Sequence, residues 1–576
     1  MTSGLINLVS YGTQDLYLVG SPEITHFKVV YRRYTNFAVE SKEIRFDNNV
    51  NFGLECTSLL PRIGDLIGRI YLQMTTPTIS FIRPLDQTVI DTAYSAYLAT
   101  LTDLNTIADF MSLNLEAYRG ALDEYTAEND QAYDNMRDRI LEVFGLVSTG
   151  NINYDLNLTI VNNFITLLTN EVDSNGNALY NITDINLNYI AESANPFITK
   201  SDFLSLLNKA IKVSNSVQKH FTTKSNTALQ AYQEVSSPRY KFAWVDRLGH
   251  ALIDYVEIYI GGDKLDKQYG DWINIFWELA GNQQHYTNYM NMIGHTEGMR
   301  AFDRTEKKAY TMMVPLQFWF NRFNGMALPY VALEHADITI AVKFRKFQDV
   351  SYIEQSSDFS SNFTLNDLAA DTGYRLDAKL LVDYVYLDAL ERRKFAQSSH
   401  EYLIEQMQTV TFKNIYLSNV SEKLDFVHPS KEITWVAQNE NKLVNDYGFT
   451  KIDWFDYAIG GKNPIYDTEL WFSGYERVKR KQSGYYNYLQ PYYRHRNIPP
   501  EGINTYSFAL EPDESQPSGH CNLSRITNIN INMTLNDAIF TAANTTDTQT
   551  VQLRVYCRNF NILRIASGFG REAFAY

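Results

Sequence analysis

The sequence predicts a mainly β protein. Two β-sandwich or jelly-roll units follow one another, and the first is interrupted by a largely helical insertion. Three observations predict this. Short segments rich in β-branched and aromatic residues recur along both halves, separated by turn residues. The order of segment types in residues 254–342 returns in residues 467–536. Between about residues 85 and 238 the period-two pattern gives way to helical spacing.

Residues 1–23 form an arm broken by Gly4, Gly12 and Gly20. Leu5, Ile6, Leu8, Val9 and Leu16 make it too apolar for a free tail, so it is expected to dock on its own chain or a neighbour. The segment Ile24 to Phe37, ITHFKVVYRRYTNF, reads as an uninterrupted strand. Alternation puts Phe27, Val29, Tyr31 and Arg33 on one face and Lys28, Val30, Arg32 and Tyr34 on the other. Both faces mix apolar bodies with cationic tips, which suits a sheet that meets other chains.

Further strands are expected at 40–47, 68–76, 252–260, 314–320 and 336–347, with Asp47-Asn48-Asn49, Gly261-Gly262 and Asn324-Gly325 as turns. The stretch from about 85 to 238 differs. Leu122, Tyr125, Tyr133, Met136, Ile140 and Phe144 fall at helical spacings, and similar patterns run through 157–172 and 200–221, the latter with Ser201 placed as an N-cap. The stretch carries roughly −10 of the chain's net charge of −15, as a solvated, outward-facing module would. Loops tolerate such insertions because they lie on the surface. The first unit is thus 24–350, followed by a linker over 351–377 and a second unit over 378–576, with strands at 378–388, 402–415, 467–474, 528–535 and 551–565. In the last of these Val551, Leu553, Val555 and Cys557 share one face, and Gln552, Arg554 and Tyr556 share the other.

Two paired segments suggest duplication. DYVEIYIGGDKLDKQYGDW (254–272) parallels DTELWFSGYERVKRKQSGY (467–485), and ALPYVALEHADITIAV (327–342) parallels CNLSRITNININMTLN (521–536).

Bulk properties narrow the function. At 576 residues the chain holds several ordinary domains or two large ones. The net charge of −15 argues against a general nucleic-acid grip, which needs a basic face. The 40 Tyr and 32 Phe suit either interfaces or a plain β-rich core. Cys56, Cys521 and Cys557 are few and widely spaced, as expected of free thiols in a reducing compartment. No secretory signal and no apolar run of about 18 residues is visible, so neither export nor a membrane-spanning helix is expected.

Catalytic constellations are sought and not found. The sequence holds no G-x-x-x-x-G-K-[ST], C-x-x-C, H-E-x-x-H or G-x-S-x-G. His520-Cys521 would point to opposite faces of a strand, as would Asp254 and Glu257. His285 and His295 read as surface or loop histidines, and no metal or cofactor is expected. The run Arg477 to Lys481, followed by Tyr485, Tyr486, Tyr488, Tyr492 and Tyr493, could bind nucleic acid, but in an acidic chain it reads better as a loop that pairs with acidic neighbours at subunit contacts.

Several segments resemble one family. FKVVYRRYTNF (27–37), the arm GLINLVSYGTQDLYLVGSPEIT (4–25), IGGDKLDKQYGDWINIFWEL (260–279), PLQFWFNRFNGMALPYVALEHADITI (315–340) and VYCRNFNILRIASGFG (555–570) are similar to major capsid proteins of large icosahedral DNA viruses, the nucleocytoplasmic group. The likeness spans both ends and the middle and breaks over roughly 85–238, where the family has a variable tower-building loop between its fourth and fifth strands. The resemblance implies two consecutive antiparallel eight-stranded jelly rolls and a structural, non-enzymatic protein. It implies homotrimeric, pseudo-hexagonal capsomers that tile an icosahedral shell. The partners implied are neighbouring capsomers, minor capsid and penton proteins and an internal membrane, with no specific nucleic-acid contact. The location implied is the virion, assembled in the host cytoplasm. The packing and assembly candidates are Phe27, Tyr31, Arg32, Arg33, Asn36, Phe37, Gly261, Gly262, Trp319, Asn321, Pro329, Arg477, Arg480, Arg554 and Arg564. Two other classes stay open on the residues alone: a carbohydrate-binding, adhesin-like β-sandwich with exposed Trp and Tyr, and a jelly-roll glycoside hydrolase.

Overall fold

The alternating segments pair as antiparallel ladders throughout. The computed structural model describes residues 34–125, 154–173, 176–180, 200–356, 359, 364–444, 448–540 and 549–574. They divide into two compact units, one of Met1–Ser80 with Lys241–Tyr576 and one of Phe81–Tyr240.

In the larger unit the first half holds β1 (Phe37–Arg45), β2 (Glu55–Leu59), β3 (Leu66–Thr75), β4 (Phe242–Trp244), β5 (Ile253–Ile260), β6 (Asp263–Tyr269), β7 (Thr311–Pro315), β8 (Ile338–Phe344), β9 (Ser351–Ile353) and β10 (Asp377–Leu387). Eight of these form two sheets, β1-β10-β3-β7 and β2-β8-β5-β6, while β4 and β9 pair separately. The second half holds β11 (His400–Ile415), β12 (Asn419–Lys423), β13 (Pro429–Asn439), β14 (Ile465–Phe472), β15 (Tyr475–Gln482), β16 (Asn504–Ser507), β17 (Cys521–Asn522), β18 (Ile529–Leu535), β19 (Val551–Ala566) and β20 (Phe569–Glu572). Its sheets are β11-β19-β13-β16, extended by β17 and β20, and β12-β18-β14-β15. Among the eight strands of each half's two main sheets, the first lies beside the eighth (β10 or β19) and the eighth beside the third. Each is an eight-stranded jelly roll with the same strand order.

One strand belongs elsewhere than the sequence suggests. The segment 378–388 was expected to open the second roll, but it is β10, paired to β1 on one side and β3 on the other. It closes the first roll, and its alternating residues Leu380, Val382 and Tyr384 enter that core. The last strand of one roll and the first of the next carry the same period-two pattern, so pattern alone does not divide them. The 314–320 segment is a strand only to Pro315, and Trp319–Arg322 forms a short helix. Residues 475–482, expected as a loop, form β15. The insertion follows β3, the third strand among the described residues.

The duplication extends to turn chemistry. Gly261 and Gly262 join β5 to β6 with φ of +62° and +90°, a two-residue turn with both centres left-handed. Ser473 and Gly474 join β14 to β15 with φ of +50° and +83°. The first turn residue donates its N–H to Asp337 O (2.9 Å) in the first roll and to Asn528 O (2.8 Å) in the second. Each acceptor immediately precedes its β8 or β18 strand. The parallels at 254–272 with 467–485, and at 327–342 with 521–536, thus mark equivalent elements.

The smaller unit contains α1 (Gln87–Tyr125), α2 (Tyr154–Thr169) and α3 (Lys200–Ser236). Ile107, Phe110, Val161, Phe164, Val217 and Phe221 are buried in it, and the Phe110 and Phe164 rings stack at 3.7 Å. Arg83 caps the end of α3 through the carbonyls of Glu234, Val235 and Ser237. Ser201, expected as an N-cap, lies within α3. Leu122 and Tyr125 fall on α1, whereas Tyr133, Met136, Ile140 and Phe144 lie outside the described residues.

Candidate functional site

The two rolls meet along a seam. The helix that follows β6, α4 (Gly270–Ala280), carries Trp272, Ile275 and Leu279 on one face, at helical spacing. They pack with Met407, Val436, Tyr457, Ile503 and Tyr556 of the second roll. Alternation along β19 makes this possible. Val551, Leu553, Val555 and Cys557 face the core of the second roll, while Tyr556 faces the seam, its ring 5.4 Å from Trp272. The expected two-faced reading of 551–565 therefore holds, and the polar-looking face is buried too.

The seam also holds charge. Asp271 of α4 lies 3.1 Å from Arg345 and pairs with Arg554, and the Arg345 guanidinium lies 3.7 Å from the Trp454 ring centroid. Further along, Glu405 of β11 is 2.8 Å from both Arg322 and Lys431 and 3.8 Å from Arg558. Arg558 lies 2.9 Å from Glu432, which faces His495 at 3.3 Å, and His495 is 3.0 Å from Asp513. Lys431 reaches Glu405 because it is the extra residue of a β-bulge: Ser430 pairs Asn559 and Glu432 pairs Arg558.

Burial pushes the Glu405 carboxyl up, but Arg322, Arg558 and Lys431 outweigh it and hold it down to about 2. Burial, aided by Arg558, lowers Lys431 to about 8 against the pull of Glu405. Asp266 of β6 is raised to about 6 by burial, although it accepts the Met407 N–H at 2.9 Å. Gln406 donates to the Leu265 carbonyl, so β6 of the first roll rests edge-on against β11 of the second. Among the described residues no group of His, Cys, Asp and Glu is placed to hold a metal.

The sequence-derived candidates separate into three sets. Phe27, Tyr31, Arg32 and Arg33 lie outside the described residues. Trp319, Asn321, Pro329 and Arg554 are buried within the chain: Asn321 donates to Leu316 O at 3.0 Å, and Arg554 belongs to the seam. Asn36, Phe37, Gly261, Gly262, Arg477, Arg480 and Arg564 are exposed. Arg480 is held by Asp467 and Glu469, and Arg564 by Glu401, all within the chain. His285 is exposed, and His295 accepts the Arg247 N–H. All three cysteines are unpaired. Sequence reasoning missed the seam residues Glu405, Lys431, Glu432, His495 and Asp513. The only signal was the presence of charged and amide residues inside the strand-like segments KEITWV and YLIEQMQ, which equally marks a sheet face open to water.

Two of the sheet-edge strands are β1 and β15. Among the described residues β1 has only β10 beside it, and Phe37 and Val39 on it are 54% and 55% exposed. β15 ends the second roll's other sheet, and all its residues except Val478 are exposed. Arg477, Lys479 and Lys481 face no carboxylate within ion-pair distance among the described residues. Tyr488, Tyr492 and Tyr493 stand exposed just beyond.

Comparison with known proteins sets these features in context. A family described as "Large eukaryotic DNA virus major capsid protein" matches residues 391–571, and one described as "Major capsid protein N-terminus" matches 25–97 and 208–388. The gap in the second match falls within the helical unit. The chain is 29% identical over 600 residues to the major capsid protein of Pyramimonas orientalis virus, and 26% identical over 612 residues to that of Paramecium bursaria Chlorella virus 1, with all of each chain covered. Among solved structures, the PBCV-1 virus capsid protein superposes with a TM-score of 0.55 at 21% identity, over 96% of this chain and 100% of that one. The Faustovirus major capsid protein superposes with a TM-score of 0.54 at 11% identity, over 96% and 94%. Both are likenesses of fold.

Proposed function

The chain belongs to the family of large eukaryotic DNA virus major capsid proteins, and on that footing we propose that three copies close into a pseudo-hexagonal capsomer. It is a structural component of the virion capsid. The observation that carries the trimer is the repeated strand order: two jelly rolls of one topology sit in each chain, locked by a buried seam. Three such chains around a three-fold axis present six similar rolls, an outline that fits a lattice site with six neighbours. Work of this kind is done by broad contacts and not by a pocket, so the protein is read as a non-enzyme without cofactor. Neighbouring capsomers are its main partners. Minor capsid and penton proteins and an internal membrane are the further partners proposed, with assembly in the host cytoplasm. Light scattering on purified protein tests the reading. The expected mass is about 200 kDa, three times the 66.4 kDa chain. A monodisperse monomer at high concentration contradicts it.

A further inference from the structure

Because the two rolls are equivalent strand for strand, the seam inside the chain is a template for a contact between chains. Leu72 and Trp435 are the seventh residues of β3 and β13, and they pair with Leu380 of β10 and Val555 of β19. Those in turn pair with Ile44 of β1 and Val410 of β11. Four residues back along each strand, Glu40 is therefore the counterpart of Gln406. In the hairpins, Leu265 bulges between Lys264, opposite Tyr259, and Asp266, opposite Ile258. Arg477 bulges in the same way between Glu476, opposite Trp471, and Val478, opposite Leu470. Arg477 is thus the counterpart of Leu265.

Within the chain, the equivalents of these positions are covered. Residues 404–408 of β11 are buried on both faces, and Gln406 bonds to the Leu265 carbonyl. On β1 the counterparts are 38–42, of which 38–41 are exposed and Lys42 is half-buried, and Arg477 on β15 is exposed. Past a second bulge in β15, where Thr468 pairs Lys481 as Val256 pairs Gln268, Phe276 of α4, packed in the seam beside Arg322 and Arg558, corresponds to Leu489, which stands exposed. Among the described residues the chain therefore presents one half of the seam at each end: a bare first-roll edge at β1 and a bare second-roll edge at β15.

We infer that in the trimer β15 of one copy docks on β1 of the next, repeating between chains the β6–β11 contact made within each chain, with Arg477 set beside Glu40 of the neighbour. This rests on the trimeric reading above. The two edges are complementary in charge where they differ from the template. The neutral pair Leu265 and Gln406 becomes Arg477 and Glu40; Glu40 pairs with Lys42 within β1 and Glu43 with Lys379, so Arg477 would join an exposed carboxylate already partnered on its own strand. The contact is head-to-tail, so three copies close a ring and leave neither of these two edges open. The tyrosines beyond β15 cover the outer face of the neighbour's β1-β10-β3-β7 sheet, as α4 covers β11-β19-β13-β16. The basic, tyrosine-rich run thereby acquires a protein partner, a second copy of this chain.

The test combines native mass spectrometry with disulfide trapping on the full chain. Glu40→Arg and Arg477→Glu are each expected to raise the concentration of half-dissociation at least tenfold, and the double variant is expected to recover most of that loss. Glu40→Cys with Arg477→Cys is expected to give a covalent trimer on non-reducing gels, while either single cysteine variant gives none. Circular dichroism and thermal melts check that each variant is folded. If the wild type is trimeric but the double variant shows no recovery and the cysteine pair does not cross-link, the inference is wrong and the trimer stands. If the wild type is a monomer, the trimeric reading falls and takes the inference with it.

Discussion

Replacing Glu405 with Gln removes one charge from the seam and changes almost nothing in size. The carboxylate is buried and lies 2.8 Å from Arg322, 2.8 Å from Lys431 and 3.8 Å from Arg558. Glu432 remains to balance Arg558, but Arg322 and Lys431 lose their nearest anion. Breaking a buried pair in this way costs about 3–5 kcal/mol, because the cations stay behind without compensation. The sign of the pH dependence follows from the same site. Glu405 is held down to about 2 in the folded chain, so its contribution is present above the ordinary carboxylate range and is lost as pH falls through about 4 toward 2. Lys431 titrates near 8, so the defect is expected to be larger at pH 7 than at pH 9, where Lys431 is neutral. Hydrogen exchange read by mass spectrometry is the assay, because a 576-residue chain of two units need not unfold in one step. Peptides covering 403–410 and 431–438 are expected to lose protection by roughly two to four powers of ten. Glu401→Gln breaks the exposed Arg564 pair and serves as the control, expected to cost under about 1 kcal/mol. Protection within threefold of wild type in the Glu405→Gln seam peptides would refute the account of the seam as a charge-balanced joint.

Other outcomes follow from the same structure. Asp266 is raised to about 6 by burial, so stability is expected to fall by on the order of 3 kcal/mol as pH rises from about 4 to 6; Asp266→Asn should flatten that slope in pH-dependent melts, and an unchanged slope would assign it elsewhere. Gly474→Ala meets open space at φ +83° and should cost about 1 kcal/mol of strain, whereas Gly261→Ala adds a 3.3 Å approach to the Ala336 Cβ and should cost more, as denaturant titration of both variants will show. Charge reversal at Arg32 and Arg33 is expected to lower the trimer fraction in size-exclusion chromatography more than Lys219→Glu in the helical unit does; equal effects would remove those arginines from the assembly surface.

Much of the fold is legible in the sequence because a half-buried strand writes its face into alternate residues. Residues 253–260, 338–344, 529–535 and 551–566 form strands where alternation predicts them, and paired segments such as DYVEIYIGGDK and DTELWFSGYER reveal the duplication. What alternation does not reveal is which surface a face meets. The polar residues of β13 and β19 look like a water-facing row, yet Glu432 and Arg558 are buried against the first roll. Arg554 reads equally as a subunit contact or an internal ion pair, and only the approach of Asp271, nearly 300 residues earlier, decides it. The boundary at β10 was misplaced for a related reason: pairing partners, and not pattern, assign a strand to a roll. Polar β6, DKLDKQY, shows no apolar alternation, and its Asp266 accepts the N–H of Met407 on β11 of the other roll.

The central claim is that two equivalent jelly rolls per chain become six around a three-fold axis. Electron cryomicroscopy of the purified protein tests it most directly. The account predicts three-fold particles with six barrel-like densities in a hexagonal outline, and with β15 of each copy lying along β1 of the next. Particles with one pair of barrels would contradict it, whereas trimers whose β1 and β15 edges face solvent would overturn only the β15–β1 contact.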